Sequence, residues 1–282
     1  MKDMMRFIIP DCYTRESREV FDQYGVVYAG ELYARLLKKH LPEAEYEIFF
    51  TSDPGVELPR GKEITEFTGV LWPGCNLTVF HSHDKRVQKL VQLAKDAYEY
   101  GVPQFGSCWA AQIAVYAAGG TVRANPKGRE MGLARKIHLS EEGKKHPMMK
   151  GKPLVYDGFV SHDDIITDIP EGATILAGND FAPVQAVAVK HKKGIFWATQ
   201  YHPEYNLELM SNLIPAREEK LIKQGFFKNH EDMETYTKDL KAVHDDPSRK
   251  DLRWRYDIDD SIVSDEIREV EFVNWLKNMI LS

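Results

Sequence analysis

One stretch of the sequence predicts the local fold most clearly: Val102-Pro103-Gln104-Phe105-Gly106-Ser107-Cys108-Trp109-Ala110-Ala111-Gln112. A short β-type run meets Gly106, and an apolar, helix-forming run begins directly after Cys108. This order predicts a strand, a tight turn and a helix, with the thiol exposed at the corner above a sheet. Free N–H groups and the dipole at a helix N-terminus favour a thiolate there. Cys108 is therefore a candidate nucleophile, and the alternative is a buried structural cysteine.

A second segment lies far downstream and reads Trp197-Ala198-Thr199-Gln200-Tyr201-His202-Pro203-Glu204. His202 directly follows a β-type run and could take the thiol proton, then return it to a leaving group. Glu204 could accept the other imidazole N–H and fix the tautomer. The alternative for His202 is a surface histidine. The alternative for Glu204 is a carboxylate that stabilises a helix N-terminus, and this role is compatible with the orienting role.

Together the two segments resemble the class I (triad-type) glutamine amidotransferases, which carry G-x-C-x-G-x-Q at the elbow and H-P-E after a late strand. Here the elbow reads G-S-C-W-A-A-Q over 106–112, and H-P-E is intact over 202–204. The resemblance extends over the first three-quarters of the chain, to a stand-alone amidotransferase domain of the GMP synthase type. It implies a triad of Cys108, His202 and Glu204 that forms a γ-glutamyl thioester.

The resemblance also implies an oxyanion hole. One donor in the family is the backbone N–H after the cysteine, which here belongs to Trp109. The other comes from a glycine turn after the third strand, where this chain has Pro73-Gly74. Proline has no N–H, so Gly74 is the candidate donor. The alternative is a plain β-turn, for which Pro-Gly is a favourable sequence.

Gln112 matches the family glutamine that helps hold the substrate amino acid, and i+4 spacing places it on the same helix face as Cys108. The alternative is an ordinary polar helix residue. Ala110 stands where the family has glycine, and we expect the elbow to close because alanine is the next smallest residue.

A polar cluster at 161–164 reads Ser-His-Asp-Asp and resembles the family's S-H-x-D stretch. We expect a solvated loop at the rim of the site. A metal site is rejected because no further cysteine or histidine has matching spacing. The chain also has no G-x-x-x-x-G-K-[ST] phosphate loop, and we predict neither a metal nor a cofactor.

The coarse pattern predicts an α/β fold: a mainly parallel, mixed sheet flanked by helices, flavodoxin-like, with a helical C-terminal extension. We place the amidotransferase-like domain at 1–213 and the extension at 214–282. The extension is interpreted as helices packed on the core, with a lid or a dimer contact as the alternatives. The predicted strands are Arg6–Pro10, Tyr46–Phe50, Gly69–Trp72, the elbow strand, Val122–Ala124, Lys136–Leu139, Leu154–Val155, Ala173–Leu176, Val184–Val189 and Ile195–Thr199. The predicted helices are Val20–Leu41, Lys85–Tyr100, the elbow helix, Asn206–Gln224 with a break or kink at Pro215, and an amphipathic segment within Arg249–Ser282.

Composition excludes several classes of protein. The 282 residues carry a net charge of −6, which gives no electrostatic footprint for nucleic acid. No stretch approaches the about 20 apolar residues that cross a bilayer, and the N-terminus lacks a signal-type apolar run. The three widely spaced cysteines, Cys12, Cys75 and Cys108, suggest neither a disulfide framework nor metal spacing. We therefore expect a cytoplasmic protein.

The acceptor of the leaving nitrogen is not encoded in these motifs. Residues 215–282 are too short for a nucleotide-using synthetase domain. The leading hypothesis is a glutaminase that serves a separate synthetase, and the alternative is a stand-alone γ-glutamyl amide hydrolase. A non-catalytic regulatory relative is a further alternative, against which the intact triad argues. The expected partners are glutamine or a γ-glutamyl amide, and oligomers are possible.

Overall fold

The architecture is that of a computed structural model, which describes residues 4–282. The strands are β1 (Arg6–Asp11), β2 (Glu45–Phe50), β3 (Gly69–Trp72), β4 (Gln104–Ser107), β5 (Thr121–Ala124), β6 (Glu130–Leu139), β7 (Val155–His162), β8 (Asp164–Asp168), β9 (Ala173–Gly178), β10 (Ala186–His191) and β11 (Gly194–Thr199). The helices are α1 (Arg15–Gln23), α2 (Ala29–His40), α3 (Lys85–Tyr100), α4 (Trp109–Ala117), α5 (Leu207–Leu213), α6 (Glu218–Lys223), α7 (His230–Asp245), α8 (Lys250–Arg255), α9 (Asp260–Val263), α10 (Asp265–Arg268) and α11 (Val270–Trp275). Short 3-10 helices lie at Gly61–Glu66, Gly143–Lys145, Pro147–Met149 and Pro215–Arg217, and a π-helical turn lies at Leu276–Ile280.

Nine of the strands form one mixed sheet in the order β2-β1-β3-β4-β11-β10-β9-β6-β7. The pairings from β2 to β11 are parallel, and those from β11 to β7 are antiparallel. Strands β5 and β8 pair separately and antiparallel. The sheet and its flanking helices confirm the predicted fold class.

Strand order positions the site. Strands β1, β3, β4 and β11 are parallel neighbours, so their carboxyl ends lie along one edge of the sheet. Ligands of open α/β sheets bind at such an edge. The segments that follow these strands contain Tyr13, Gly74, Cys108 and His202. Four segments that are far apart in sequence therefore meet at one place.

Alternating side chains fill both faces of the sheet. Ile8 packs in the layer of α3 and α4, whereas Phe7 and Ile9 pack in the layer of α2 and α11. Phe272 and Trp275 of α11 are fully buried, and Trp275 lies 6.2 Å from the ring of Phe7. Burial of one such aromatic side chain stabilises a fold by about 1.5–3 kcal/mol. The last helices are thus packed on the same sheet rather than held apart from it.

Helix α3 and strand β3 have the bounds that the sequence predicts, but the long helix predicted over Val20–Leu41 is wrong. The chain forms α1 and α2 instead, joined through Gly25 with a φ of 65°. The N–H of Val26 bonds back to the carbonyl of Phe21, which ends α1. The apolar spacing is continuous across this turn because both helices bury a face, so periodicity alone does not reveal the break.

The later elements differ from prediction in extent and in number, since helix α7 was not predicted. Pro215 breaks the helical run after residue 206, as predicted, because α5 ends before it and a 3-10 turn follows. Strands β6 and β7 are much longer than their predicted apolar cores, and β8 was not predicted. The predicted segment within Arg249–Ser282 is divided into α8, α9, α10 and α11 and the π-helical turn.

Two of the three cysteines pair, contrary to expectation. Cys12 and Cys75 form a disulfide with a Cα–Cα distance of 5.7 Å, and Cys108 is free. They follow β1 and β3, which are adjacent parallel strands, so residues 63 positions apart in sequence face each other. Sequence spacing could not show this proximity. Within residues 4–282 no helix is both long and apolar enough to cross a bilayer.

Candidate active site

The elbow between β4 and α4 is a strained turn with Cys108 at its corner. Cys108 has a φ of 57°, and its N–H donates to the carbonyl of Thr199 at 2.7 Å. A Cβ on Gly106 would collide with the carbonyl oxygen of Trp72 and lie 2.5 Å from the Cβ of Ala110. Glycine at 106 therefore lets the elbow close with alanine at 110. A non-glycine residue held at positive φ is characteristic of functional sites.

Cys108 is less accessible than predicted. Only 5% of the residue is exposed, because the thiol faces a cavity rather than open solvent. Its Sγ donates a weak hydrogen bond to the carbonyl of Ser161 at 3.7 Å. Any molecule that reaches the sulfur must therefore enter this cavity.

His202 is held beside this thiol from several sides. Its backbone N–H donates to the carbonyl of Phe159 at 2.8 Å, and its ring stacks on Tyr205 with centroids 3.8 Å apart. The ring Nδ1 lies 2.7 Å from Oε1 of Glu204. The opposite edge of the ring faces Gly74 and Cys108. The structure thus brings together the three residues of the predicted triad.

The ring of His202 is surrounded by groups that favour its charged form. Burial lowers its pKa, but the charges of Glu204 and Cys108 outweigh burial and raise the pKa from 6.5 to about 9. These neighbours therefore let the imidazole keep its proton to higher pH than a free histidine does. An imidazolium between a thiol and a carboxylate can stabilise a thiolate and can donate a proton to a leaving group.

Ser107 is a site residue that the sequence analysis missed. Its hydroxyl donates to Oε1 of Glu204 at 2.7 Å and lies 3.3 Å from Nδ1 of His202. It therefore fixes the carboxylate that orients the imidazole. Ser107 occupies a variable position of the elbow motif, so the motif itself carried no signal for this role.

The candidate oxyanion donors flank the thiol. Gly74 follows β3, and a Cβ built on it would lie 2.8 Å from Cε1 of His202 and 3.7 Å from the Cβ of Cys108. Trp109 is the first residue of α4, where backbone N–H groups have no helical acceptor. Both N–H groups thus belong to segments in contact with Cys108.

A cavity of about 380 Å³ opens over Cys108. Gln112 lines it as predicted and is 3% exposed. Its Nε2 donates at 3.4 Å to the carbonyl of Asp164 and to Oε1 of Gln200, while its Oε1 has no hydrogen-bond partner within the described residues. A buried amide oxygen at a cavity wall is suited to accept a donor from a bound ligand.

The 161–164 cluster lines the rim, but the prediction of a solvated loop is wrong for part of it. Ser161 and His162 end strand β7, and the ring of His162 is buried against Oε2 of Glu130 at 2.8 Å. Asp163 and Asp164 face the cavity. Burial and the charge of Asp163 raise the pKa of Asp164. The polar residues predicted a loop, but they can lie in a buried strand because their side chains hydrogen-bond to one another.

Three cations complete the cavity wall, and none was singled out from the sequence. Arg129 immediately precedes β6, whereas Arg217 and Lys220 lie after Pro215. Arg129 forms an ion pair with Asp163, and Lys220 contacts the same carboxylate at 3.3 Å. Isolated arginines and lysines carry no sequence signal for a site, since most of them are on surfaces.

Known proteins match this chain in both sequence and fold. The family described as glutamine amidotransferase class-I matches residues 51–220. A γ-glutamyl-L-1-hydroxyisopropylamide hydrolase from Pseudomonas sp. is 29% identical over 287 residues, covering 99% of this chain and 94% of that protein. A glutamine-hydrolysing GMP synthase from Clostridium novyi is 33% identical over 175 residues, covering 62% of this chain.

These relatives differ in how much of their own length is matched. The chain spans 30% of the GMP synthase, against nearly all of the hydrolase. The crystal structure of a glutamine amidotransferase from Thermotoga maritima superimposes with a TM-score of 0.67, covering 99% of both chains at 16% identity. That likeness establishes the fold over the full length, including the C-terminal helices.

Proposed function

The chain belongs to the class-I glutamine amidotransferase family, and within it we propose a γ-glutamyl amide hydrolase that releases glutamate and a free amine. The observation that carries the proposal is the similarity to a γ-glutamyl-L-1-hydroxyisopropylamide hydrolase over nearly the full length of both proteins, including the C-terminal segment. Ala216, Arg217 and Lys220 from the C-terminal segment line the same space as Cys108 and Gln112. The C-terminal segment is therefore placed to contact a bound substrate.

The first half-reaction forms a thioester. The thiolate of Cys108 attacks the γ-carbonyl carbon, and the oxygen takes the negative charge within reach of the N–H groups of Gly74 and Trp109. The imidazolium of His202 gives its proton to the leaving nitrogen as the C–N bond breaks. The products are a glutamyl thioester on Cys108 and a neutral amine.

The second half-reaction reverses these roles. Neutral His202 takes a proton from water, and the resulting hydroxide attacks the thioester carbon. The C–S bond breaks, glutamate leaves, and the thiolate and imidazolium are restored. Glu204 and Ser107 keep the ring in position in both steps, since they contact its Nδ1.

The apolar part of the cavity favours an alkyl amine over ammonia as the leaving group. Val20, Phe21 and Leu77 line it together with the polar residues. Ammonia would gain nothing from such a wall, whereas each buried methylene of an alkyl amine contributes about 0.8 kcal/mol. The full-length similarity to a γ-glutamyl-L-1-hydroxyisopropylamide hydrolase supports an amine larger than ammonia as the leaving group.

The experiment is a product assay on the purified chain alone. Glutamate, ammonia and free amine are measured separately with L-glutamine and with several γ-glutamyl alkylamides. We expect kcat/KM for the best alkylamide to exceed that for glutamine by about tenfold or more, because a buried alkyl group of two methylenes supplies that factor. Glutamine as the better substrate would contradict the proposal.

A second candidate is the glutamine half-reaction of an amidotransferase that delivers ammonia to a synthetase. The match to GMP synthases at 33% identity favours it. In that case the purified chain would have low glutaminase activity, and a synthetase would raise it. The same assay, repeated with a GMP synthetase subunit added, separates the two candidates.

Gly74→Ala is expected to lower kcat/KM by about a hundredfold. The new Cβ would lie 2.8 Å from Cε1 of His202, and that ring cannot move because Tyr205 and Glu204 hold it. The turn that carries the candidate oxyanion donor must shift instead. Steady-state kinetics measure the loss, and an unchanged melting temperature shows that it is local. Wild-type kcat/KM in this variant would show that Gly74 does not belong to the oxyanion hole.

The pH dependence of hydrolysis should show an alkaline limb near pH 9 that depends on Glu204. Burial lowers the pKa of His202, but Glu204 and Cys108 together raise it from 6.5 to about 9, and activity falls as the proton donor is lost above that pH. Stability gained from this shift is complete below pH 6.5 and lost as pH rises through about 9.

In Glu204→Gln the alkaline limb should move to lower pH. Burial lowers the pKa of His202, and the variant lacks the negative charge that opposes this effect. Rates are compared with the same substrate, so that titration of the substrate cancels. An alkaline limb at the same pH in both proteins would mean that another group sets it.

A further inference from the structure

Two arginines converge on one serine next to the candidate nucleophile. Arg217 Nη1 donates to Oγ of Ser161, and Arg129 Nη1 donates to the same oxygen at 3.1 Å. The carbonyl oxygen of Ser161 accepts the thiol of Cys108 at 3.7 Å. Both guanidinium groups therefore line the cavity, and a single residue, Ser161, lies between them and the sulfur of Cys108.

The two arginines differ in how their charge is balanced. Arg129 is paired with Asp163, which Lys220 also contacts. Arg217 forms no ion pair with a carboxylate in residues 4–282, and its second contact is the hydroxyl of Tyr13 at 3.4 Å. Burial lowers the pKa of Arg129, Asp163 opposes this, and the neighbouring charge of Arg217 lowers it further. A guanidinium with only neutral partners beside a second cation favours an anionic ligand.

We infer that Arg217 binds the α-carboxylate of the γ-glutamyl group and thereby restricts the enzyme to substrates in which that carboxylate is free. A guanidinium recognises a carboxylate through two parallel N–H···O bonds. In a γ-glutamyl group a short carbon chain separates the α-carboxylate from the γ-carbonyl. Ser161 places the two groups near each other, because its carbonyl contacts Cys108 and its hydroxyl contacts Arg217.

This inference rests on the proposed γ-glutamyl chemistry and makes the substrate class more specific. A γ-linked glutamyl group keeps its α-carboxylate, whereas an α-linked glutamyl peptide does not. Arg217 would therefore select γ-linked substrates and exclude α-linked ones. It would also give the segment after Pro215 a direct contact with substrate.

The test measures binding rather than turnover, in Cys108→Ala protein, so that substrate is not consumed. Calorimetry compares L-glutamine with 4-aminobutanamide, which is glutamine without its α-carboxylate. Arg217→Ala and Arg217→Lys are made in this background. Lys223→Ala is the matched control, because it removes an exposed cation of α6 that does not line the cavity. Melting temperatures confirm that each variant is folded.

We expect Arg217→Ala to weaken glutamine binding by about tenfold to a hundredfold and to leave 4-aminobutanamide binding unchanged. Arg217→Lys keeps the charge without the planar fork, so its loss for glutamine should be intermediate. Lys223→Ala should bind both ligands as the parent does. If Arg217→Ala no longer prefers glutamine over 4-aminobutanamide, Arg217 recognises the carboxylate.

Other results would overturn the inference in distinguishable ways. Parent affinity for glutamine in Arg217→Ala, or an equal loss for both ligands, would exclude carboxylate recognition by Arg217 while leaving the proposed function intact. If the Cys108→Ala parent binds neither glutamine nor a γ-glutamyl alkylamide, both the inference and the proposed function fall together.

Discussion

Replacing Cys108 with alanine is expected to abolish hydrolysis, with a fall in kcat of about 10⁵-fold or more. No other described cysteine can substitute, because Cys12 and Cys75 are joined in a disulfide. The residual rate would come from the oxyanion donors and substrate binding alone. Initial rates on a γ-glutamyl alkylamide, with free amine as the product measured, determine the loss.

The same substitution should leave the fold intact. The thiol makes one weak hydrogen bond, at 3.7 Å to the carbonyl of Ser161, and it faces a cavity that water can fill. We therefore expect a melting temperature close to that of the wild type. Wild-type turnover by Cys108→Ala would show that the nucleophile is assigned wrongly, whereas an unfolded variant would show that the elbow depends on the sulfur.

His202→Ala is expected to cost more than Glu204→Gln. In the proposed mechanism His202 moves the proton in both half-reactions, so its removal should lower kcat by roughly 10⁵- to 10⁶-fold. Glu204 acts through the ring, and its loss should lower kcat by roughly 10³- to 10⁴-fold, which leaves measurable turnover. The hydroxyl of Ser107, 3.3 Å from Nδ1, still contacts the imidazole in Glu204→Gln.

The ranking is checked by single-turnover kinetics, which report the chemical step rather than product release. Ser107→Ala provides a further comparison, since it removes the support of Glu204 but retains the carboxylate. Equal losses in His202→Ala and Glu204→Gln, with chemistry limiting the rate, would contradict an orienting role for the carboxylate.

The elbow and the H-P-E segment were predictable from the sequence because each is a short motif whose residues lie close together in the chain. Gly106 lies two residues before Cys108 at the tight turn, and His202 follows shortly after β11, which ends at Thr199. Such constraints place particular residue types at fixed spacing in the chain. Helix α3 was predicted for the same reason: its apolar spacing and the left-handed Gly101 at its end are local signals.

The rest of the site arises from tertiary contacts that spacing does not record. The disulfide joins Cys12 to Cys75 only because β1 and β3 are neighbours. Arg217 reaches Ser161 across 56 positions of sequence, through packing of the segment after Pro215. Apolar periodicity was also misleading at Gly25. Apolar residues recur at helical spacing on both sides of this glycine, although the chain turns there between α1 and α2.

The thioester on Cys108 is the central claim, and its most direct test is mass spectrometry of enzyme quenched in acid during turnover of a γ-glutamyl alkylamide. We predict a mass increase of one glutamyl group, located on the peptide that contains Cys108 and absent from Cys108→Ala. Turnover with that group on another residue, with the same labelling of Cys108→Ala, or with no labelled protein at any quench time would contradict the account.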